Sequence, residues 1–274
     1  MALTLRLAPA VEGLAWVRGA FALYARRPMG FTAMFLAFLL AVLLAALVPV
    51  LGAVFMLMSL PLLGLGFMLA ARAARAGEPV HPGAFVEPLR APPPVRNVLL
   101  ALCGLYALAT AAVMLFSDWV DGGSFERLQT LLAQGPDAQA ELDALLADPR
   151  LSGGMIVRFG LAALISVPFW HAPPLVLWQA QGLGQALFSS TLALWRCRAA
   201  FAVYALAWTG LILAIGLAGV LVFSLLGAGQ LAGIAAMPAA LILSTVFYVS
   251  LLFTYEGCFS EAATPPVQPP APAG

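Results

Sequence analysis

Lysine is absent from this 274-residue chain: all thirteen basic residues are arginine, a bias of the kind that GC-rich bacterial coding produces. Charge of either sign is scarce. Charged residues make up 9% of the chain and hydrophobic residues 63%, whereas a soluble domain carries roughly 25% charged residues. With a mean hydropathy of +0.99, this balance excludes an ordinary soluble domain and predicts an integral membrane protein with no nucleic-acid partner.

The other scarce residues exclude chemistry. Three cysteines, Cys103, Cys197 and Cys258, are odd in number and show no CxxC or metal-like spacing, so they read as free packing residues without a disulfide framework. The two histidines, His81 and His171, have no acidic neighbour at ligand spacing and no HExxH surrounds them, which excludes that zinc hydrolase site. The aspartates all fall outside the expected spans, in one loop, which excludes a paired-aspartate intramembrane protease and removes the buried carboxylates that ion-coupled transport uses. A GGS at 122–124 lacks the base and acid of a serine hydrolase, and no Walker or dinucleotide glycine pattern occurs. The expectation is a protein that is not an enzyme and takes no cofactor or metal.

Long apolar runs are plentiful. A helix needs about 20 apolar residues to cross roughly 30 Å of hydrocarbon, and six stretches qualify: 29–49, 53–71, 97–116, 155–178, 199–226 and 231–255. Tight joints, VPVLG near Pro49 and GAGQ at 227–230, connect the first pair and the last pair. The first apolar run begins only after residue 28, and no small-residue cleavage site leads into a polar domain, so a removable signal peptide is not expected.

Arginine sets the expected orientation. One side of a six-span arrangement receives Arg6, Arg18, Arg26, Arg27, Arg72, Arg75, Arg90, Arg96, Arg196 and Arg198; the other receives only Arg127, Arg150 and Arg158. The arginine-rich side is therefore read as cytoplasmic, with both termini inside and the acidic loop 117–153 in the periplasm of a bacterial inner membrane. Arg158 stands within a turn or two of the outer boundary, where it can snorkel to the surface. Two short amphipathic helices are expected in the loop, one carrying Phe125, Leu128, Leu131 and Leu132, the other Ala138, Leu142, Leu145 and Leu146. They can cap the bundle or present a docking surface.

On the arginine-rich side, residues 9–28 read as an interfacial helix with Val11, Leu14, Val17, Phe21 and Tyr24 on its apolar stripe. LYARR at 23–27 aligns with LWRCR at 194–198, and the proline-rich 81–97 holds the equivalent place before the third span. The pattern is three copies of an interfacial element followed by a transmembrane hairpin. The fold class is thus all-α: a polytopic membrane bundle over 1–262 with six transmembrane helices, cytoplasmic interfacial helices and a short helical periplasmic loop. The Pro- and Ala-rich 263–274 reads as a disordered cytoplasmic tail.

Two sets of residues are candidates for function. Arg26, Arg27, Arg75, Arg96, Arg196 and Arg198 fall at the cytoplasmic ends of spans or interfacial helices, where they either set topology alone or also hold anionic lipid headgroups. FWHAPPLVLWQAQG at 169–182 interrupts the fourth span with His171, Pro173, Pro174, Trp178 and Gln179. There Pro173 removes a backbone donor at membrane depth, which demands substitute partners. Either neighbouring side chains and water supply them, or the break is a hinge beside a cytoplasm-facing cavity with His171 and Gln179 as polar handles.

The stretch FWHAPPLVLWQAQGLGQALFSSTLALWRCRAAFAVYALAW, with WVRGAFALYARRP near the N-terminus and VDGGS after the third span, resembles an uncharacterised family of proteobacterial six-span inner-membrane proteins over residues 10–258. The matching positions are Trp170, Ala172, Pro173, Leu175, Val176, Gly182, Ala186, Leu187, Phe188 and Ser189. The resemblance implies the architecture and no established activity. Members look Phe-like at position 171 and often carry His at position 179, so it also implies that neither place needs this chain's residue. Two functions follow as expectations: a scaffold or accessory membrane component, packing through Gly210, Gly216, Gly219, Ala232, Ala236 and Ala240 against another membrane protein or a second copy, or a lipid-handling carrier.

Overall fold

The computed structural model describes residues 3–48, 50–134, 138–228 and 231–261; the tail expected over 263–274 lies outside them. The protein is all-α. A three-residue strand β1 (Leu3–Leu5) precedes α1 (Glu12–Arg26), α2 (Pro28–Ala46) and α3 (Leu51–Arg75). Two 3₁₀ turns, Pro82–Phe85 and Glu87–Arg90, lead into α4 (Pro93–Asp121), α5 (Ser124–Gln134), α6 (Gln139–Leu146), α7 (Pro149–Phe169) and α8 (Ala172–Gln179). The chain continues through α9 (Leu183–Arg196), α10 (Arg198–Leu225) and α11 (Leu231–Cys258) into β2 (Phe259–Glu261). Among the described residues, six segments are long and apolar enough to cross a membrane: α2, α3, α4, α7 with α8, α10, and Gly233–Cys258 of α11.

The chain forms two compact units. One comprises residues up to Phe35, 67–81 and the chain from Leu192. Here α1 packs against both α10 and α11. A Cβ on Gly13 would lie 2.1 Å from the Ala200 carbonyl oxygen, so only glycine lets the α1 and α10 backbones approach this closely. Trp16 meets Phe201 and Tyr204 edge-on at 5.3 and 6.1 Å, and Phe21 meets Trp208 at 6.0 Å, so α1 and α10 run in the same direction. This corrects the face expected for α1. Its buried residues are Gly13, Trp16, Val17, Ala20 and Leu23, whereas Val11 is 70% exposed. Val17 is buried as expected, but a helix wedged between two others also buries the small Gly13 and Ala20, which carry little hydrophobic signal, with Trp16 and Leu23.

The ribbon of β1 and β2 pairs Leu3 with Glu261, Thr4 with Ser260 and Leu5 with Phe259, antiparallel. It fastens the N-terminus to the end of α11. Three residues on each side leave no alternating pattern that sequence reading can detect.

The other unit comprises residues 36–66 and 82–191. Its centre is α4 packed on α7. The buried face of α4 recurs at helical spacing through Leu99, Leu102, Cys103, Ala107, Val113, Ser117 and Asp121. Tyr106 stacks edge-on against Phe169 at 5.1 Å, while Asp121 faces Gly154 at the opposite end, so the two helices are antiparallel. Both amphipathic helices expected in the loop are present. Leu128 and Leu131 of α5, Ala138, and Leu145 of α6 form a cluster with Leu151 of α7, flanked by Phe125, Leu142 and Met155. Leu132 and Leu146, expected on the same faces, remain 59% and 56% exposed.

Candidate functional site

The fourth span breaks at Trp170 and His171, one turn before the expected place. The prolines act from beyond the end of α7. Carbonyls of residues 169 and 170 would accept from the N–H groups of 173 and 174 in a continuous helix, and both positions are proline. The same prolines sit in the first turn of α8, where an N–H has no intrahelical acceptor anyway. Pro173 thus costs α8 nothing, and the donor it removes is the one α7 would have needed to continue.

One side chain bridges the two sides of the break. The His171 N–H donates to Ser190 Oγ at 3.0 Å, and Ser190 Oγ donates to the Val167 carbonyl at 2.9 Å. Leu175 N–H restarts the ladder on the His171 carbonyl at 3.1 Å. Ser190 is wholly buried in α9, so a single hydroxyl from a neighbouring helix bridges the donor and the acceptor released by the break. In a bilayer each unsatisfied backbone group costs several kcal/mol. The break is therefore held by a specific partner.

His171 is 0% exposed, and Ala172, Pro173, Pro174, Leu175 and Val176 are buried with it. Trp178 and Gln179 are half-buried at the far end of α8. Eight residues of helix separate His171 from Gln179 by about 12 Å. The two expected handles are consequently not brought to one point.

The six arginines also divide. Arg75 pairs with Glu256, and its guanidinium lies over the Phe253 ring at 4.5 Å. Arg27 donates to the Gly77 carbonyl at 3.0 Å. Arg198 donates to the Trp195 carbonyl at 3.4 Å and lies 5.6 Å from that ring. Arg26 and Arg196 end α1 and α9 and are exposed, while Arg96 is half-buried in the first turn of α4.

A second polar constellation escaped the sequence reading. Asp118 and Asp121 lie in the last turn of α4, not in a loop. Arg158 reaches both, at 2.6 Å to Asp118 and 3.2 Å to Asp121, and its guanidinium lies 4.1 Å from the Phe125 ring centroid. Its side chain is only 14% exposed and that of Asp121 is 0% exposed. This corrects one expectation, since a long helix does carry a buried carboxylate, and it gives the Arg158 head a fixed partner pair. Gly154 makes the arrangement possible, because a Cβ there would lie 2.3 Å from the Asp121 Cβ. The available signal was local, an acidic pair at i and i+3 ending one span and an arginine just inside the next. Asp121 also accepts from Gly123 N–H at 2.8 Å, which ties the α4–α5 turn to the same charge.

Among the described residues, no group of three or more His, Cys, Asp or Glu is placed to hold a metal ion. The polar side chains placed by these contacts hold structure, and the wide remaining surface is aliphatic. Such a fold defines a polytopic α-helical membrane protein. Over 254 residues, 91% of this chain and 92% of the relative, the sequence is 35% identical to a probable inner membrane protein of Burkholderia thailandensis. The chain belongs to that protein's family and is an integral inner-membrane protein whose helices contact the lipid bilayer. No protein-family profile matches the sequence, and no solved structure does.

Proposed function

We propose that this protein is a non-enzymatic scaffold or accessory component of the inner membrane, with both termini in the cytoplasm. The observation that carries the reading is the uncovered length of α10. That helix buries only Ala200, Tyr204 and Trp208, and nothing lies within 4 Å of where side chains on Gly210, Gly216 and Gly219 would begin. Small residues let another helix approach closely in a bilayer, where packing and not hydrophobicity drives association. Its natural occupant is a transmembrane helix of another protein or of a second copy. The absence of catalytic motifs from the sequence, together with the use of Ser190 and Arg158 in internal contacts, supports a role without chemistry.

A second reading, lipid handling, draws on one cavity. Between α10 and α11, Trp208, Ile212, Ala240, Ser244, Phe247 and Tyr248 line a space of about 380 Å³ that is mostly apolar. Arg198 starts α10 ten residues before Trp208, about 15 Å along the helix, a spacing that suits an anionic headgroup with its chain in the cavity.

Gly216→Leu with Gly219→Leu separates the two. In blue-native gels of gently extracted membranes, the scaffold reading expects the wild type in a discrete larger assembly and the variant as free chain. Equal migration of both as single chains contradicts it. For orientation, a reporter fused after Gly135 should read periplasm and one after Gly274 cytoplasm; the same compartment for both overturns the arrangement.

A further inference from the structure

Cys197 and Cys258 stand at the two ends of the α10–α11 hairpin, 197 just before α10 begins and 258 as the last residue of α11. Both are free and buried. One backbone unit joins them: the Arg6 N–H donates to the Cys258 carbonyl at 2.9 Å, and the Arg6 carbonyl accepts from Cys197 Sγ at 3.4 Å. The two side chains are also neighbours, each thiol perturbing the other. Two buried cysteines far apart in sequence, held by one backbone unit at the foot of one hairpin, are more than packing residues.

We propose that Cys197 and Cys258 form an oxidisable dithiol, a modification site at which a hydroperoxide converts the pair to a disulfide that staples the base of the α10–α11 hairpin. Cys197 is the attacking group. Contact with Cys258 pushes its thiol down to about 6, so once the Arg6 carbonyl releases its proton the thiolate forms at neutral pH. The thiolate sulfur attacks one peroxide oxygen, the O–O bond breaks, and the leaving oxygen takes up a proton to depart as water, or as an alcohol from an organic hydroperoxide. Cys197 is then a sulfenic acid. The Cys258 thiol attacks that sulfur, the S–O bond breaks, and a second molecule leaves as water. Two thiols have lost two electrons and two protons to one peroxide.

Access is controlled by the N-terminal ribbon. Only three residue pairs hold β1 to β2, with the Thr4 and Ser260 hydroxyls 2.9 Å apart, and Arg6, which follows β1 directly, holds the Cys197 sulfur through its carbonyl and the Cys258 main chain through its N–H. A ribbon this short opens locally far more readily than the bundle unfolds. The dithiol and the N-terminus are therefore coupled: releasing the ribbon exposes the thiols.

The test uses the full chain purified in nanodiscs under reductant, desalted, exposed to hydrogen peroxide, quenched in acid and mapped by mass spectrometry. The free thiol count should fall from three to one, with a Cys197–Cys258 cross-linked peptide and Cys103 unmodified. Cys258→Ala should stop at a sulfenic acid on Cys197, captured by a dimedone probe. A variant with Leu3, Thr4 and Leu5 replaced by glycine should oxidise several-fold faster. Three thiols persisting in the wild type, or a cross-link that includes Cys103, would overturn the proposal.

Discussion

Ser190 and His171 are joined by a 3.0 Å hydrogen bond in which a buried hydroxyl accepts the main-chain N–H at the break between α7 and α8. The bond is made by the main chain of position 171 and not by the imidazole. Ser190→Ala removes the hydroxyl that serves both the N–H and the Val167 carbonyl, and loss of such a buried partner costs about 1–3 kcal/mol. Pro174→Ala, at a first-turn position where proline acts chiefly through the unfolded chain, should change stability by less than ~1 kcal/mol. Unfolding in mixed detergent micelles should rank the two variants in that order, and a reversed order would remove Ser190 from its role.

Arg158 and its two aspartates make a sharper contrast. Removing one partner of a buried pair strands the other charge and costs about 3–5 kcal/mol, the loss expected for Arg158→Ala because Asp121 is fully buried. Asp118 is 50% exposed, and Asp118→Ala should cost no more than ~1 kcal/mol. The Arg158 variant should also become sensitive to protease across α5 and α6, since Asp121, which holds the α4–α5 turn through Gly123, loses its counter-charge and Phe125 loses the guanidinium over its ring. Equal small losses for both variants would show that the guanidinium is solvated.

The Cys197 thiol gives a pH dependence of definite sign. Its acidity is raised first by contact with Cys258, and its midpoint falls to about 6 from the usual thiol value near 8.5. The folded state therefore binds fewer protons than the unfolded state between those values. The stabilisation is fully present above the unfolded value and is lost as pH falls through about 6. Maleimide labelling of Cys197, followed peptide by peptide, should level off above neutral pH, and Cys258→Ala should move its midpoint upward. A wild-type profile still rising through pH 8.5 contradicts that contact.

Much of this architecture was legible because membrane helices announce themselves by length and apolarity. The six spans and the two amphipathic helices of the 122–148 connection follow from runs and spacing alone. Features made by one residue meeting another far along the chain were not legible. Ser190 lies nineteen positions from His171, Arg158 lies forty from Asp118, and Cys197 finds Cys258 only once α10 and α11 have turned back. The buried face of α1 was misread for a related reason: Gly13 and Ala20 carry almost no hydrophobic signal, yet they sit where neighbouring helices approach most closely. The resemblance anticipated the family and could not supply an activity.

Native mass spectrometry of the gently extracted protein bears most directly on the central claim, that this is a membrane component whose function is association. A scaffold predicts a complex of defined stoichiometry, with a second copy or another membrane protein, that Gly216→Leu with Gly219→Leu dissociates. A single chain carrying one retained anionic lipid and no protein, unaffected by those substitutions, would contradict it and transfer the function to the cavity between α10 and α11.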